Sequence, residues 1–225
     1  SWSGLAWEYG MVVDRESNLI NGYRIAWDKA FDSLQGKDCA VIARNADARY
    51  DADCHALHLP YLGIEHRVDV RNREVFRVGP EGDVPVGTTA GVLMLHYLLQ
   101  AVKHPLSGQM ISFREVRGVS GYYPAFVKRA ILPLQGAFAG REEALQAAGA
   151  RLGGVMAPFG DTAITLHVFP LVPITYVLWR GDGEMPSSAT ILFDANISHY
   201  LPGEDIVLAA SFGTYALMKS IKQSG

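Results

Sequence analysis

Apolar positions in the first part of the chain recur every three or four residues. The repeat covers Leu19 to Leu34, and its apolar members are Ile20, Tyr23, Trp27, Ala30, Phe31 and Leu34. This spacing predicts an amphipathic helix, and Gly36 stands where a helix C-terminal cap is expected. Asp38 then predicts the N-cap of a shorter helix that ends near Asn45.

The pattern changes to alternation between His55 and Val78, where apolar residues occupy every second position. Pro60, Gly63 and residues 71–73 interrupt the alternation, which predicts a three-stranded antiparallel meander. Residues 80–85 are expected to form a loop. Thr88 or Thr89 begins the next predicted helix, which runs to about Lys103 and stops before Pro105.

The second half of the chain mixes helical and extended patterns. A short extended piece is predicted at 110–116, and a helix at 122–138 with a kink at Pro133. The remaining predicted elements are a helix at 142–152, strands at 162–169, 174–179 and 190–193, and a final helix from 206 to about 222.

Strands therefore fall into two groups, with helices between them and at both ends. This order predicts the α+β class, with two groups of antiparallel strands packed with about five or six helices. We expect one compact domain over residues 18–225. Residues 1–17 are irregular but contain Trp2, Trp7 and Tyr9, so they predict an arm that packs on this domain.

Composition excludes several classes of protein. The 225 residues are 49% apolar, which is enough for a core, and 20 basic against 23 acidic residues give a net charge of −3. No basic excess favours nucleic acid as a partner, and neither a membrane span nor a signal pattern is predicted. We expect a cytoplasmic protein. Its two cysteines, Cys39 and Cys54, are too few for an iron–sulfur cluster and are expected to be reduced structural residues.

The strongest candidate binding segment begins at Ser112-Phe113-Arg114-Glu115 and continues through Arg117. It includes Tyr122, Tyr123, Lys128 and Arg129, with glycines at 108, 118 and 121. Arginines hold carboxylates or phosphates by bidentate hydrogen bonds, and aromatic rings supply flat walls. Alternatively, Arg114 pairs with a core acid and the tyrosines only pack.

Histidines are the candidate metal ligands. His96 falls on an apolar helical face and His199 follows the last predicted strand. Either imidazole can ligate a metal, although a histidine on an apolar face is more often a core residue. His55 and His58 are predicted to lie on opposite faces of a strand, which is poor geometry for a pair of ligands.

Motifs that define common enzyme classes are missing. The chain has no GxSxG, GxxxxGK[ST] or HExxH, and no GxGxxG follows a strand. A scattered set of acids offers oxygen ligands for a cation, namely Asp182, Glu184, Asp194, Glu204 and Asp205. A metal-assisted hydrolase or transferase would use the first three of these with a histidine. Asp182 also suits a hairpin turn, and the last two suit a first helical turn.

Several segments together resemble a single-domain family of anaerobic bacteria and archaea that is catalogued only as a domain of unknown function. These segments are LMLHYLLQA at 93–101, LSGQMISFREV at 106–116, YYPAFVKRAILPL at 122–134, LGG at 152–154 and 172–206. The resemblance covers about residues 20–220 and names no reaction. It implies a cytoplasmic protein of anaerobic metabolism, in which handling of a corrinoid or another metal tetrapyrrole is one expectation.

We therefore expect noncatalytic binding of a large cofactor, with cobalamin or another corrinoid first and haem second. Arg114 and Arg129 would hold polar arms, Phe113, Tyr123 and Trp179 would wall the macrocycle, and His96 or His199 would be the axial ligand. A metal-assisted enzyme is the first alternative. The second is an accessory subunit of an anaerobic enzyme complex, docked on its protein partner through residues 1–17.

Overall fold

The computed structural model describes residues 17–182 and 184–222. The chain divides into two compact units, Ser1–Lys103 and His104–Gly225. Each contains a five-stranded antiparallel sheet with helices. The α+β prediction with two groups of antiparallel strands is thus confirmed. The predicted arm lies outside the described residues except for Ser17.

In its described residues, 17–103, the first unit is a β-meander with three helices. Strands β1 to β5 pair in sequence order and span Arg49–Asp51, Ala56–Tyr61, Ile64–Asp69, Glu74–Arg77 and Val84–Pro85. Helices α1 and α2, at Ser17–Gln35 and Cys39–Asn45, precede the sheet, and α3 at Thr88–Gln100 follows it. The three strands predicted between residues 55 and 78 are found as β2, β3 and β4. Strands β1 and β5 were not predicted and extend the sheet at its two edges.

Local sequence explains where these helices begin, end and pack. The Asp38 carboxylate accepts the backbone N–H of Ala40 at 2.9 Å, which confirms the predicted N-cap of α2. Helix α3 ends at Gln100 and not at Lys103, because Ala101 leaves the helical region with ψ at 122°. A Cβ on Gly91 of α3 would lie 2.2 Å from the Trp27 ring, so α1 and α3 approach closely at this glycine.

The second unit is built on a sheet in the order β6-β10-β9-β8-β7. These strands span Met110–Ser112 (β6), Val155–Met156 (β7), Thr162–Phe169 (β8), Val172–Trp179 (β9) and Ser188–Asp194 (β10). Its α-helices are α4 at Tyr123–Phe126, α5 at Leu132–Phe138, α6 at Glu142–Arg151 and α7 at Gly203–Lys222. The strands predicted at 162–169, 174–179 and 190–193 and the helices predicted at 142–152 and 206–222 are found with small changes at their ends. The extended piece predicted at 110–116 is wrong beyond Ser112, because Phe113–Glu115 forms a 3-10 turn.

The segment predicted as one kinked helix at 122–138 is divided. Helix α4 passes into a π-helical turn at Val127–Ile131, and α5 follows with Pro133 in its first turn. Proline has no N–H to donate into the preceding turn, and its ring clashes with a carbonyl there. The wider π turn lets the helical direction continue through this position.

Helix α7 packs on the central strand β9 at a glycine. The Tyr176 hydroxyl donates to the carbonyl of Ala210 at 3.0 Å, and a Cβ on Gly213 would lie 1.8 Å from that hydroxyl. Tyr176 is fully buried. Within the described part of the chain, none of the helices has the length and apolar content needed to cross a membrane.

Candidate functional site

The candidate binding segment starts where β6 ends. Glu115 accepts both the backbone N–H and the hydroxyl of Ser112 at 2.7 Å, which closes a 3-10 turn at Phe113–Glu115. The Ser112 hydroxyl and N–H stabilise the charged carboxylate and lower the pKa of Glu115. Glu115 is thereby engaged within the turn.

The turn directs Phe113 inward and Arg114 outward. Phe113 is 2% exposed and stacks on Phe126, with ring centroids 4.3 Å apart, and it also contacts Phe193 of β10. Arg114 is exposed, and its guanidinium carbon lies 3.8 Å from the centroid of the Tyr123 ring. A buried aromatic anchor therefore supports a cation–π pair made of the exposed Arg114 and the half-buried Tyr123.

The basic groups of this segment have no acidic partners in the part of the chain that the structure describes. Residues 110–131 contain four basic side chains and one acid, Glu115. Among the described residues, no ion pair involves Arg114, Arg117, Lys128 or Arg129, and all four side chains are exposed. The alternative in which Arg114 pairs with a core acid is therefore not found. The segment keeps a local positive charge on a chain whose net charge is −3.

A second loop meets this region from the start of α7. Gly203 lies against Tyr122 and Val119, because a Cβ there would be 3.3 Å and 3.0 Å from their side chains. His199 is only four residues before Gly203, in a 3-10 turn at Ile197–His199. Its exposed ring stacks on His104, with centroids 4.6 Å apart and planes 3° apart.

A buried carboxylate fixes the chain around these histidines. Asp194 accepts the backbone N–H of Ser107, Gly108 and Asn196 at 3.0, 2.8 and 3.0 Å. Burial acts to raise the pKa of Asp194, but these hydrogen bonds outweigh it and the pKa is lowered. The Tyr200 hydroxyl donates to the carbonyl of His104. Asp194 thus has a positioning role in this loop.

The other predicted residues lie elsewhere. Trp179 is 49% exposed at the end of β9 and pairs with Ser188, whereas Ser112 pairs with Leu192 four positions along β10. This register separates them by about 13 Å along the strand. His96 is half-buried on α3 and belongs to the first unit.

Within the described residues, the acids of the enzyme alternative do not form a metal site. Asp182 accepts the N–H of Glu184 and of Met185 at 2.9 and 2.7 Å, as in a tight turn. In the described residues, Asp182, Glu184 and Asp194 belong to no group of three side chains that could bind a metal ion.

Sequence reasoning missed one mixed cluster in the first unit. Asp51, Cys54 and His58 place one potential ligand atom each within 4.8 Å of one another. Both cysteines are free, as expected, with Cys39 buried and Cys54 exposed. The Cys54–His58 spacing was the available signal in the sequence.

The first unit also has a small cleft of about 260 Å³ lined mainly by apolar atoms. Its lining residues come from α2 and the end of α3, including Val41, Ile42 and Leu98. None of the predicted site residues lines it. It is smaller than most pockets for organic cofactors.

Comparison with known proteins gives a family and no activity. Neither the search of curated proteins nor the search of solved structures returns a match. One family model matches residues 38–215, which is most of the chain. The chain belongs to the family described as a domain of unknown function (DUF3786).

Proposed function

We propose that this protein is a noncatalytic binder of an organic cofactor that carries anionic groups beside a flat apolar face. The proposed contact is the Arg114–Tyr123 surface, defined as the exposed faces of these two side chains. The observation that carries the proposal is the guanidinium of Arg114, which lies 3.8 Å over Tyr123 and has no carboxylate partner among the described residues.

This arrangement favours ligand binding for two physical reasons. Stacking restricts the guanidinium before a ligand arrives, so less side-chain entropy is lost on binding. The guanidinium still has free N–H groups, and each charge-assisted hydrogen bond to a phosphate or carboxylate contributes about 1.5–3 kcal/mol. The buried ring of Phe113 holds the turn in place.

A corrinoid is the specific ligand that we propose, with haem second. Cobalamin presents a phosphodiester and haem presents propionates, and both have a broad apolar face. His199 is the proposed axial ligand. Its ring is exposed and lies four residues before Gly203, which packs against Tyr122, the neighbour of Tyr123 in the chain. We further propose a cytoplasmic location, which agrees with the two free cysteines. We also propose that the cofactor is transferred to a protein partner.

An absorption titration tests the proposal. The purified protein is titrated separately with aquocobalamin and with haem, and equilibrium dialysis measures stoichiometry. We expect one ligand per chain and a shift of the visible bands caused by axial coordination. In His199→Ala the band shift should disappear. His167→Ala is the matched control, because His167 is an exposed histidine on β8.

Absence of saturable binding for both ligands would refute the cofactor proposal. Binding with a band shift that persists in His199→Ala would refute only the axial role of His199. The control variant should behave like the wild-type protein in both measurements.

A further inference from the structure

The β1–β2 hairpin gathers three different metal-ligating side chains. Asp51 is the last residue of β1 and pairs with Ala56, so its side chain lies on the same face as that of His58, two residues further along β2. Asp51 also accepts the backbone N–H of Asp53 and of Cys54 at 3.0 and 3.4 Å. This turn folds Cys54 back toward the carboxylate.

His55 completes the turn without joining the cluster. Its φ of 54° places it outside the strand, and its Nδ1 lies 2.7 Å from the Tyr50 hydroxyl. The positive φ is tolerated by histidine more often than by bulkier residues. As a result Cys54 and His58, and not the two histidines, come together at one end of the hairpin.

The two nitrogens of the His58 ring have different surroundings. Nδ1 lies 3.4 Å from a carboxylate oxygen of Glu65 on β3. Nε2 is buried and has no hydrogen-bond partner among the described residues. A buried polar atom without a partner costs about 1–3 kcal/mol, so such an atom requires an explanation.

Strand register indicates where the unpartnered nitrogen points. Glu65 pairs with Pro60 and Asp51 pairs with Ala56, so they flank His58 from opposite directions along β2. With Nδ1 near Glu65, this register favours an orientation of Nε2 toward the end of the hairpin that carries Asp51 and Cys54. The Glu65 carboxylate beside Nδ1 also favours the tautomer in which Nδ1 carries the proton and Nε2 keeps its lone pair, as in many metal-bound histidines.

We propose that Asp51, Cys54 and His58 bind a transition metal ion of the Zn²⁺ class, with Nε2 as the imidazole donor. The thiolate, imidazole and carboxylate donors match this class, whereas Ca²⁺ and Mg²⁺ prefer sites made of oxygen alone. Metal–ligand distances of about 2.0–2.3 Å put tetrahedral donors about 3.3–3.8 Å apart. The ligand atoms, now within 4.8 Å, need to close by only about 1 Å, which the exposed Cys54 side chain can supply.

Three protein ligands leave a fourth tetrahedral position for water or an external group. Metal binding takes the proton from the Cys54 thiol, whose pKa is raised by partial loss of hydration and by the Asp51 carboxylate. The site involves the first unit alone. It is independent of the cofactor proposed for the Arg114–Tyr123 surface.

Titration with Co²⁺ under reducing conditions tests this site, because a cobalt–thiolate bond gives a charge-transfer absorption that other ligands do not give. We expect one Co²⁺ per chain with this absorption, and displacement of the cobalt by Zn²⁺. Cys54→Ser should lose the absorption, whereas Cys39→Ala should retain it. His58→Gln should weaken binding by more than about tenfold, and Glu65→Gln by about tenfold with the absorption retained.

Circular dichroism of each variant checks that the fold is intact, and we expect an intact fold for the Cys54 and Glu65 variants because both residues are exposed. The proposal is overturned if the wild-type protein shows no charge-transfer absorption. It is also overturned if Cys54→Ser shows the same absorption, or if His58→Gln binds Co²⁺ as tightly as the wild-type protein.

Discussion

His66 makes the stability of the first unit depend on pH. The residue is 5% exposed on β3, and its ring lies edge-on to Tyr61 with centroids 5.5 Å apart. Burial is the main cause that lowers the pKa of His66 from 6.5 to about 4, and Arg77 adds to it, whereas the carbonyl of Ile64 opposes it. The unfolded chain therefore binds a proton more readily than the folded chain.

The sign and size of the effect follow from this difference. His66 contributes its full stability above pH 6.5, and the contribution is lost as the pH falls from 6.5 toward 4. The lowering of the His66 pKa from 6.5 to about 4 reduces the free energy of unfolding by about 3 kcal/mol below pH 4, and about 2 kcal/mol of this is already lost at about pH 5.

Urea unfolding at about pH 8 and about pH 5 measures this loss. The control variant is His66→Gln, whose side chain does not titrate. The wild-type protein should lose about 2 kcal/mol more than the variant between the two pH values. An equal pH dependence for both proteins would refute the argument, as would an NMR titration of His66 with a midpoint near 6.5.

Two further substitutions test the packing of the second unit. Gly213→Ala should lower stability by at least about 1–3 kcal/mol, because its Cβ would lie 1.8 Å from the hydroxyl of the buried Tyr176. Thermal unfolding measures this, with Gly136→Ala as the control because no atom lies within 4 Å of that added Cβ. Asp194→Asn should cost about 1–3 kcal/mol, since an amide cannot accept all of its hydrogen bonds equally well, and stability unchanged in urea unfolding would contradict this role.

The parts of the fold that the sequence predicts are those with a repeating pattern or a local cap. Helix α1 follows from apolar spacing, and α2 follows from Asp38, whose side chain satisfies N–H groups only two and three residues away. Strands β1 and β5 contain three and two residues, so neither is long enough to show an alternation. The π turn depends on how the chain accommodates Pro133, which periodicity does not encode.

Sequence patterns also predict only part of the two candidate sites. Sequence identifies the residue types of the Arg114–Tyr123 surface, but the stacking of these two side chains depends on a turn closed by Glu115. The hairpin cluster was missed because the positive φ of His55 breaks the strand pattern between Cys54 and His58. Neither the turn nor the φ value leaves a periodic signal.

Cofactor affinity of two arginine variants tests the central claim most directly. Arg114 is compared with Arg180, whose guanidinium already donates to Glu142 at 3.0 Å. In equilibrium dialysis with cobalamin, Arg114→Gln should raise the Kd by about tenfold or more, which corresponds to one lost charge-assisted hydrogen bond. Arg180→Gln should leave the Kd unchanged. Equal Kd values for the wild-type protein and both variants would contradict binding at the Arg114–Tyr123 surface.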